Sequence, residues 1–188
     1  KEHPAGTGGG ALPGGIGWYR KTFTLPKEDA NKLVFIDFGG VYMNSEVWIN
    51  GYYLGKRPYG YSSFRYELTP YLKVNEKNVL AVKVDNSQQP NSRWYSGSGI
   101  YRPVKLVTTG KVHVKHWGTY IRTENVSKRS AEVVLETKIS DRSESAKDIT
   151  LTTKILDEAG KIVAKQSTKN IDPLQAVIQN LTVKNPKL

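Results

Sequence analysis

The sequence predicts an all-β chain of two consecutive sandwiches: a β-sandwich or jelly roll over residues 1–110, then an immunoglobulin-like sandwich over 111–188 that lacks its last strand. Three observations carry this. Short runs with period-two alternation recur along all 188 residues, and no stretch keeps a helical period. Turn signals separate the runs, Asn50-Gly51 foremost. Composition breaks near Gly110: all four Phe, ten of eleven Tyr, three of four Trp and fifteen of seventeen Gly lie at or before it, which reads as a domain boundary.

In the first half, residues 18–25 and 33–38 are β-rich runs, the second apolar enough for a buried strand. Val47-Trp48-Ile49, Asn50-Gly51 and Tyr52-Tyr53-Leu54 predict a hairpin, because Asn-Gly tolerates the two positive φ angles of a type I′ turn. Phe64, Tyr66 and Leu68 alternate with Arg65 and Glu67. Thr69-Pro70-Tyr71-Leu72 predicts an N-cap, a proline at the first helical position and one short turn. Leu80, Val82 and Val84 alternate with Ala81 and Lys83, and residues 104–107 follow as another strand. Trp18, Trp48 and Tyr66 are expected in the core, whereas Tyr59 and Tyr61 fit either core or surface. In the second half, runs at 112–117, 133–139, 149–155, 161–165 and 177–183 make five or six strands at immunoglobulin-like spacing, with Asp157-Glu158-Ala159-Gly160 as a turn. An incomplete second sandwich is expected to expose a sheet edge, with strand exchange or dimerisation as the hazard.

Composition excludes several function classes. The net charge of +11 first suggests nucleic acid, but the lysines are scattered, without a block of five like charges or a recognisable reading motif, so no nucleic-acid partner is expected. No apolar run approaches the ~20 residues of a membrane-spanning helix, and no membrane partner is expected. Without cysteine there is neither a disulfide framework nor a thiolate metal site. His113 and His116, three residues apart in a strand, fall on opposite faces, which disfavours shared metal ligation. The glycine run from Gly6 to Gly15 is followed by neither Gly-Lys-Ser/Thr nor a helix, so it is not a phosphate loop; no cofactor is expected. The chain opens Lys-Glu-His-Pro with no signal peptide in view; a periplasmic or extracellular location follows if a leader preceded Lys1.

Chemistry concentrates in the loop over 85–102, which joins two strand-like runs and is too rich in Pro, Gly and Ser to be either strand or helix. Arg93, Trp94, Tyr95, Tyr101 and Arg102 give it planar groups suited to a polar, ring-shaped ligand, since sugars present flat C–H faces and rims of hydroxyls. Equally, Trp94 and Tyr95 can plug the sandwich end while Arg93 pairs with a carboxylate. A complete glycosidase site needs two carboxylates some 5–9.5 Å apart. Of Asp37, Glu46, Glu67 and Asp85, none is paired by the sequence; Asp37 and Glu67 sit inside strands, and Asp85 is placed to bind a hydroxyl or support an arginine.

Four motifs occur in order: Gly15-Ile16-Gly17-Trp18-Tyr19-Arg20-Lys21-Thr22-Phe23, Val47-Trp48-Ile49-Asn50-Gly51, Gly60-Tyr61 with Phe64, and Ser98-Gly99-Ile100-Tyr101-Arg102-Pro103-Val104. Together they resemble the N-terminal region of family 2 glycoside hydrolases, most like the bacterial β-galactosidases. The resemblance implies a jelly-roll sugar-binding domain over 1–110 and an incomplete immunoglobulin-like domain over 111–188. In that family both catalytic glutamates belong to a later (β/α)8 barrel, so the resemblance implies a non-catalytic N-terminal fragment with no catalytic residue of its own. Its partners are then carbohydrate, a β-galactoside or related glycan, and its own catalytic barrel, whose parent reaction is retaining hydrolysis of terminal β-glycosides. Loops of this domain touch the substrate's non-reducing sugar, which points to Asn91, Arg93 and Trp94. His3, in His3-Pro4-Ala5-Gly6, stands where the family has the asparagine of Asn-Pro-x-Gly. Two other roles remain open from the residues: an autonomous carbohydrate-binding module, and a purely structural sandwich pair.

Overall fold

A computed structural model describes residues 15–88, 97–143 and 148–187. The chain divides into two compact units, Lys1–Thr109 and Gly110–Leu188. The described residues are all-β, with two 3-10 turns, Lys27–Asp29 and Thr69–Tyr71, as their helical elements.

The first unit contains β1 (Gly15–Thr24), β2 (Leu33–Phe38), β3 (Val41–Tyr42), β4 (Ser45–Ile49), β5 (Tyr52–Arg57), β6 (Phe64–Glu67), β7 (Lys77–Asn86), β8 (Gly99–Ile100) and β9 (Val104–Thr109). They form a four-stranded sheet in the order β1-β7-β4-β5, a three-stranded sheet in the order β6-β2-β9, and a β3-β8 pair. All of these pairings are antiparallel. Alternation decides the core: Leu80, Val82 and Val84 of β7, Val47 and Ile49 of β4, and Val34, Ile36 and Phe38 of β2 form one buried cluster. Phe38 stacks on Phe64 with centroids 4.8 Å apart. Fully burying each such side chain contributes about 1.5–3 kcal/mol, so one face per sheet suffices to hold the two together.

The predicted hairpin is present. Asn50 and Gly51 have φ of 50° and 89°, and Ile49 pairs with Tyr52 across them. The Asn50 side chain also reaches beyond its turn. Its Oδ1 accepts the Val79 N–H at 2.9 Å, and its Nδ2 donates to Tyr71 O and Asn78 Oδ1, each at 2.8 Å. Asn78 is fully buried and closes the same network by bonding Lys73 N and O and Glu76 O.

Three expectations need correction. Thr69 is not an N-cap: Leu68 holds that position without a side-chain bond, and Thr69 is the first residue of the 3-10 turn. Its hydroxyl instead accepts the Val34 N–H at 2.9 Å, tying the turn to β2. Nor is Trp18 a core residue, since it is 61% exposed. Trp18 pairs with Lys83, and Lys83 alternates with buried Val82 and Val84, so Trp18 lies on the outer face of the four-stranded sheet. Trp48, half-buried and likewise expected in the core, is also outside it: it shares that outer face, with its ring 5.3 Å from those of Trp18 and Tyr53. Tyr66 is half-buried against the core cluster.

The second unit has β10 (Val112–Glu124), β11 (Ser130–Asp141), β12 (Leu151–Leu156), β13 (Ile162–Thr168) and β14 (Ala176–Lys184), arranged as β10-β11-β14 and β12-β13. A register shift between Val114 and Thr119 interrupts β10, with Trp117 at φ 53° and stacked on His116. Fully buried Gln179 joins β14 to β12 and β13. It accepts from Thr153 Oγ1 at 2.6 Å and donates to Thr168 Oγ1 and to Leu151 O. The Asp157–Gly160 turn forms as predicted, with Asp157 Oδ1 accepting the N–H groups of Ala159 and Lys161 and Gly160 at φ 79°.

Candidate functional site

The ends of the long polar loop are fixed by short polar side chains. β7 finishes at Asn86 and β8 starts at Gly99, and Asn86 Nδ2 donates to Ser98 Oγ at 2.7 Å, pinning the two stems together. Asp85 opens the loop as an Asx turn: its Oδ1 accepts from Ser87 N at 3.1 Å and from Ser87 Oγ at 2.6 Å. Those two bonds favour the carboxylate and hold its pKa below the ordinary aspartate value. Asp85 is therefore committed to shaping the loop. From the neighbouring loop, Asn44 Nδ2 donates to Asp85 O at 3.2 Å, and Asp85 N donates to Met43 O.

Around these stems the fold gathers four tyrosines from separate segments. Tyr42 ends β3, Tyr59 and Tyr61 lie between β5 and β6, and Tyr101 follows β8. Ring centroids are 5.2 Å apart for Tyr42 and Tyr61, 5.7 Å for Tyr59 and Tyr61, and 6.4 Å for Tyr61 and Tyr101. Glycines make this packing possible. A Cβ on Gly40 would stand 2.6 Å from the Tyr101 ring, and one on Gly60 2.3 Å from the Tyr42 ring. Tyr101 Oη donates to Gly60 O at 2.9 Å, and the Arg102 guanidinium sits 5.3 Å from the Tyr101 ring centroid. Tyr59, Tyr61 and Tyr101 keep exposed surface despite these contacts. Partial desolvation, followed by the neighbouring Tyr42 hydroxyl, raises the Tyr61 pKa, so it remains a neutral phenol at physiological pH.

Such a rim can stack on an apolar ring face and exchange hydrogen bonds with hydroxyls, both as donor and as acceptor. Its described residues hold no free acid-base pair. Arg65 grips Asp37 through two bonds of 2.5 and 2.6 Å, Lys83 holds Glu46 at 3.2 Å, and Ser87 occupies Asp85. Among the described residues no group of three His, Asp or Glu is placed to hold a metal ion.

Four residues singled out by the sequence, His3, Asn91, Arg93 and Trp94, lie outside the described residues. Tyr42 escaped sequence reasoning altogether. The signal for it is the pairing of glycines with tyrosines, Gly39-Gly40 ahead of Tyr42 and Gly60 beside Tyr59 and Tyr61, which allows the rings to approach backbone closely.

Residues 12–110 match the model of glycosyl hydrolases family 2, sugar binding domain, and residues 112–188 match a second glycosyl hydrolases family 2 model. The chain is 54% identical to the beta-galactosidase BoGH2A of Bacteroides ovatus, covering 100% of this chain and 22% of that protein. It is 48% identical to a putative beta-glucuronidase of Formosa agariphila, over 97% of this chain and 17% of the relative. The crystal structure of a beta-glycosidase from Bacteroides vulgatus superimposes with a TM-score of 0.88 at 43% identity, covering 100% of this chain and 23% of that one. The chain thus spans about a fifth of the length of the relatives it matches.

Proposed function

Because this chain belongs to glycosyl hydrolase family 2, as its sugar binding domain followed by a second family domain, we propose that it is the sugar-contacting, non-catalytic portion of a longer retaining β-glycosidase acting on terminal β-D-galactosides. The observation that carries this reading is the rim of tyrosines packed around the pinned stem of the 85–102 loop. A galactoside is an uncharged polyol, matched by phenols that donate and accept hydrogen bonds. A glucuronide adds a carboxylate and calls for a committed cation. In the described rim, the Arg102 guanidinium lies against the Tyr101 ring.

In this reading Arg93 and Trp94 supply the grip within the loop: the guanidinium donates to sugar hydroxyls and the indole stacks on a C–H face. Asn91 and His3 complete the wall with hydrogen bonds. Retaining hydrolysis needs two carboxyl groups about 5–5.5 Å apart, one as nucleophile and one as acid and then base. With Asp37, Glu46 and Asp85 engaged structurally, that pair belongs to the longer protein. This chain binds and orients the sugar and excludes water from one side. The test is hydrolysis of nitrophenyl β-D-galactoside and β-D-glucuronide. The longer protein is expected to show the higher kcat/KM on the galactoside, and the 188-residue chain no turnover. A higher kcat/KM on the glucuronide overturns the substrate assignment. Turnover by the chain alone, abolished by one of its own Asp or Glu substitutions, overturns the non-catalytic role.

A further inference from the structure

Strand alternation puts Trp18, Trp48 and Tyr53 on the outer face of the four-stranded sheet, away from the buried cluster. β1 and β4 lie on either side of β7, so the Trp18 and Trp48 rings meet above that central strand. Their centroids are 5.3 Å apart and their planes tilted by 31°. The β7 residue opposite Trp48 is Ala81, small enough to leave room for them. On the other side, a register shift between Val47 and Trp48 sets Tyr53 opposite Trp48, while Leu54 packs on the core. The Tyr53 ring follows at 5.3 Å from Trp48, tilted by 49°. Three strands thus contribute three rings to one strip, with Trp18 61% and Tyr53 52% exposed.

An aromatic strip of this exposure marks a contact surface, and its fringe selects the partner. The row of residues beside it carries Lys83, bonded to Glu46 at 3.2 Å, and Lys56, while Arg20 lies opposite Ala81. The core of a protein interface is depleted of lysine and glutamate, yet here both stand among the rings. Flat faces interleaved with hydrogen-bond donors and a carboxylate acceptor suit a ligand that has C–H faces and rims of hydroxyls. We propose that the strip of Trp18, Trp48 and Tyr53 binds neutral, β-linked polysaccharide through its internal sugar units and so holds polymer on the enzyme. None of the four rim tyrosines takes part, and the proposal stands whichever terminal sugar the enzyme releases.

Affinity electrophoresis of the longer protein through gels holding β-galactan, β-mannan or hydroxyethyl cellulose tests it without requiring turnover. At least one polymer is expected to retard the protein. Trp18→Ala and Tyr53→Ala are each expected to weaken that binding roughly 2- to 13-fold, and Trp18→Tyr, which keeps a ring, to retain most of it. In all three variants KM on the best small nitrophenyl glycoside is expected to stay unchanged. Failure of all three polymers to retard the protein overturns the proposal, as does equal retardation of the alanine variants. A parallel rise in KM on the small glycoside also overturns it and assigns the rings to the terminal sugar. Loss of binding in Trp18→Tyr together with a lowered urea midpoint makes the rings structural. Retardation of the 188-residue chain but not of the longer protein overturns the proposal in favour of a face covered by the rest of the polypeptide. Preferential retention by dextran sulfate, abolished by salt, overturns it in favour of a polyanion.

Discussion

Replacing Asn50 by glycine separates two roles that one residue performs in the β4-β5 hairpin. Glycine accepts the positive φ that Asn50 adopts, so if the turn were all that mattered the substitution would be nearly neutral. The side chain, however, makes three bonds of 2.8–2.9 Å, to Val79 N, Tyr71 O and Asn78 Oδ1. At roughly 0.5–1.5 kcal/mol each, their loss costs about 3 kcal/mol. Asn50→Ala adds the left-handed penalty of about 1–2 kcal/mol to the same loss. With a urea m-value of about 2 kcal/mol/M, the Asn50→Gly midpoint falls by roughly 1.5 M. Equilibrium urea unfolding followed by tryptophan fluorescence reads this directly, since Trp48 sits in β4. A glycine variant within about 0.5 kcal/mol of the parent chain would refute the network and leave only the turn.

Three further outcomes follow from the same contacts. Gln179→Leu removes the partner of Thr153, Thr168 and the Leu151 carbonyl, and is expected to destabilise the second unit by about 2–4 kcal/mol in thermal or urea unfolding. Gly60→Ala drives a methyl group into the Tyr42 ring; it is expected to raise KM in the longer enzyme and to disturb the ring resonances of Tyr42 and Tyr61 in NMR spectra. Ser87→Ala removes the hydroxyl bond to Asp85, the larger cause of its lowered pKa, and leaves the bond from the residue 87 backbone N–H in place. A depressed carboxylate pKa contributes stability that is present above the unfolded value, near 3.9, and is lost as pH falls through the folded value. The Ser87→Ala chain is therefore expected to show a higher Asp85 pKa by NMR titration and a shallower loss of stability below about pH 4.

How much of this was legible in the sequence depended on whether a signal was local. Asn50-Gly51 and Asp157–Gly160 carry their turn chemistry in adjacent residues, and both turns form as expected. Period-two alternation located the strands and the buried stripe of β7. It did not say which face of β1 turns inward, because Trp18 and Tyr19 are both aromatic and successive; topology decides, and puts Trp18 outside. Thr69 reads as an N-cap for a similar reason: its hydroxyl bonds to Val34, which is 35 residues away. The tyrosine rim joins residues from three segments between 42 and 101, a proximity that only the sheet order creates. The loop itself was visible as chemistry, and its stems now have named contacts, while Asn91, Arg93 and Trp94 lie outside the described residues.

The central claim is that the first unit grips the sugar on which a longer family 2 enzyme acts. Steady-state kinetics of the Trp94→Ala enzyme on nitrophenyl β-D-galactoside test it most directly. Loss of one stacking platform, about 0.5–1.5 kcal/mol, raises KM roughly 2- to 13-fold, while the urea midpoint stays near that of the parent. An unchanged KM, or a fall in stability without any kinetic effect, would contradict the claim and make Trp94 a structural plug.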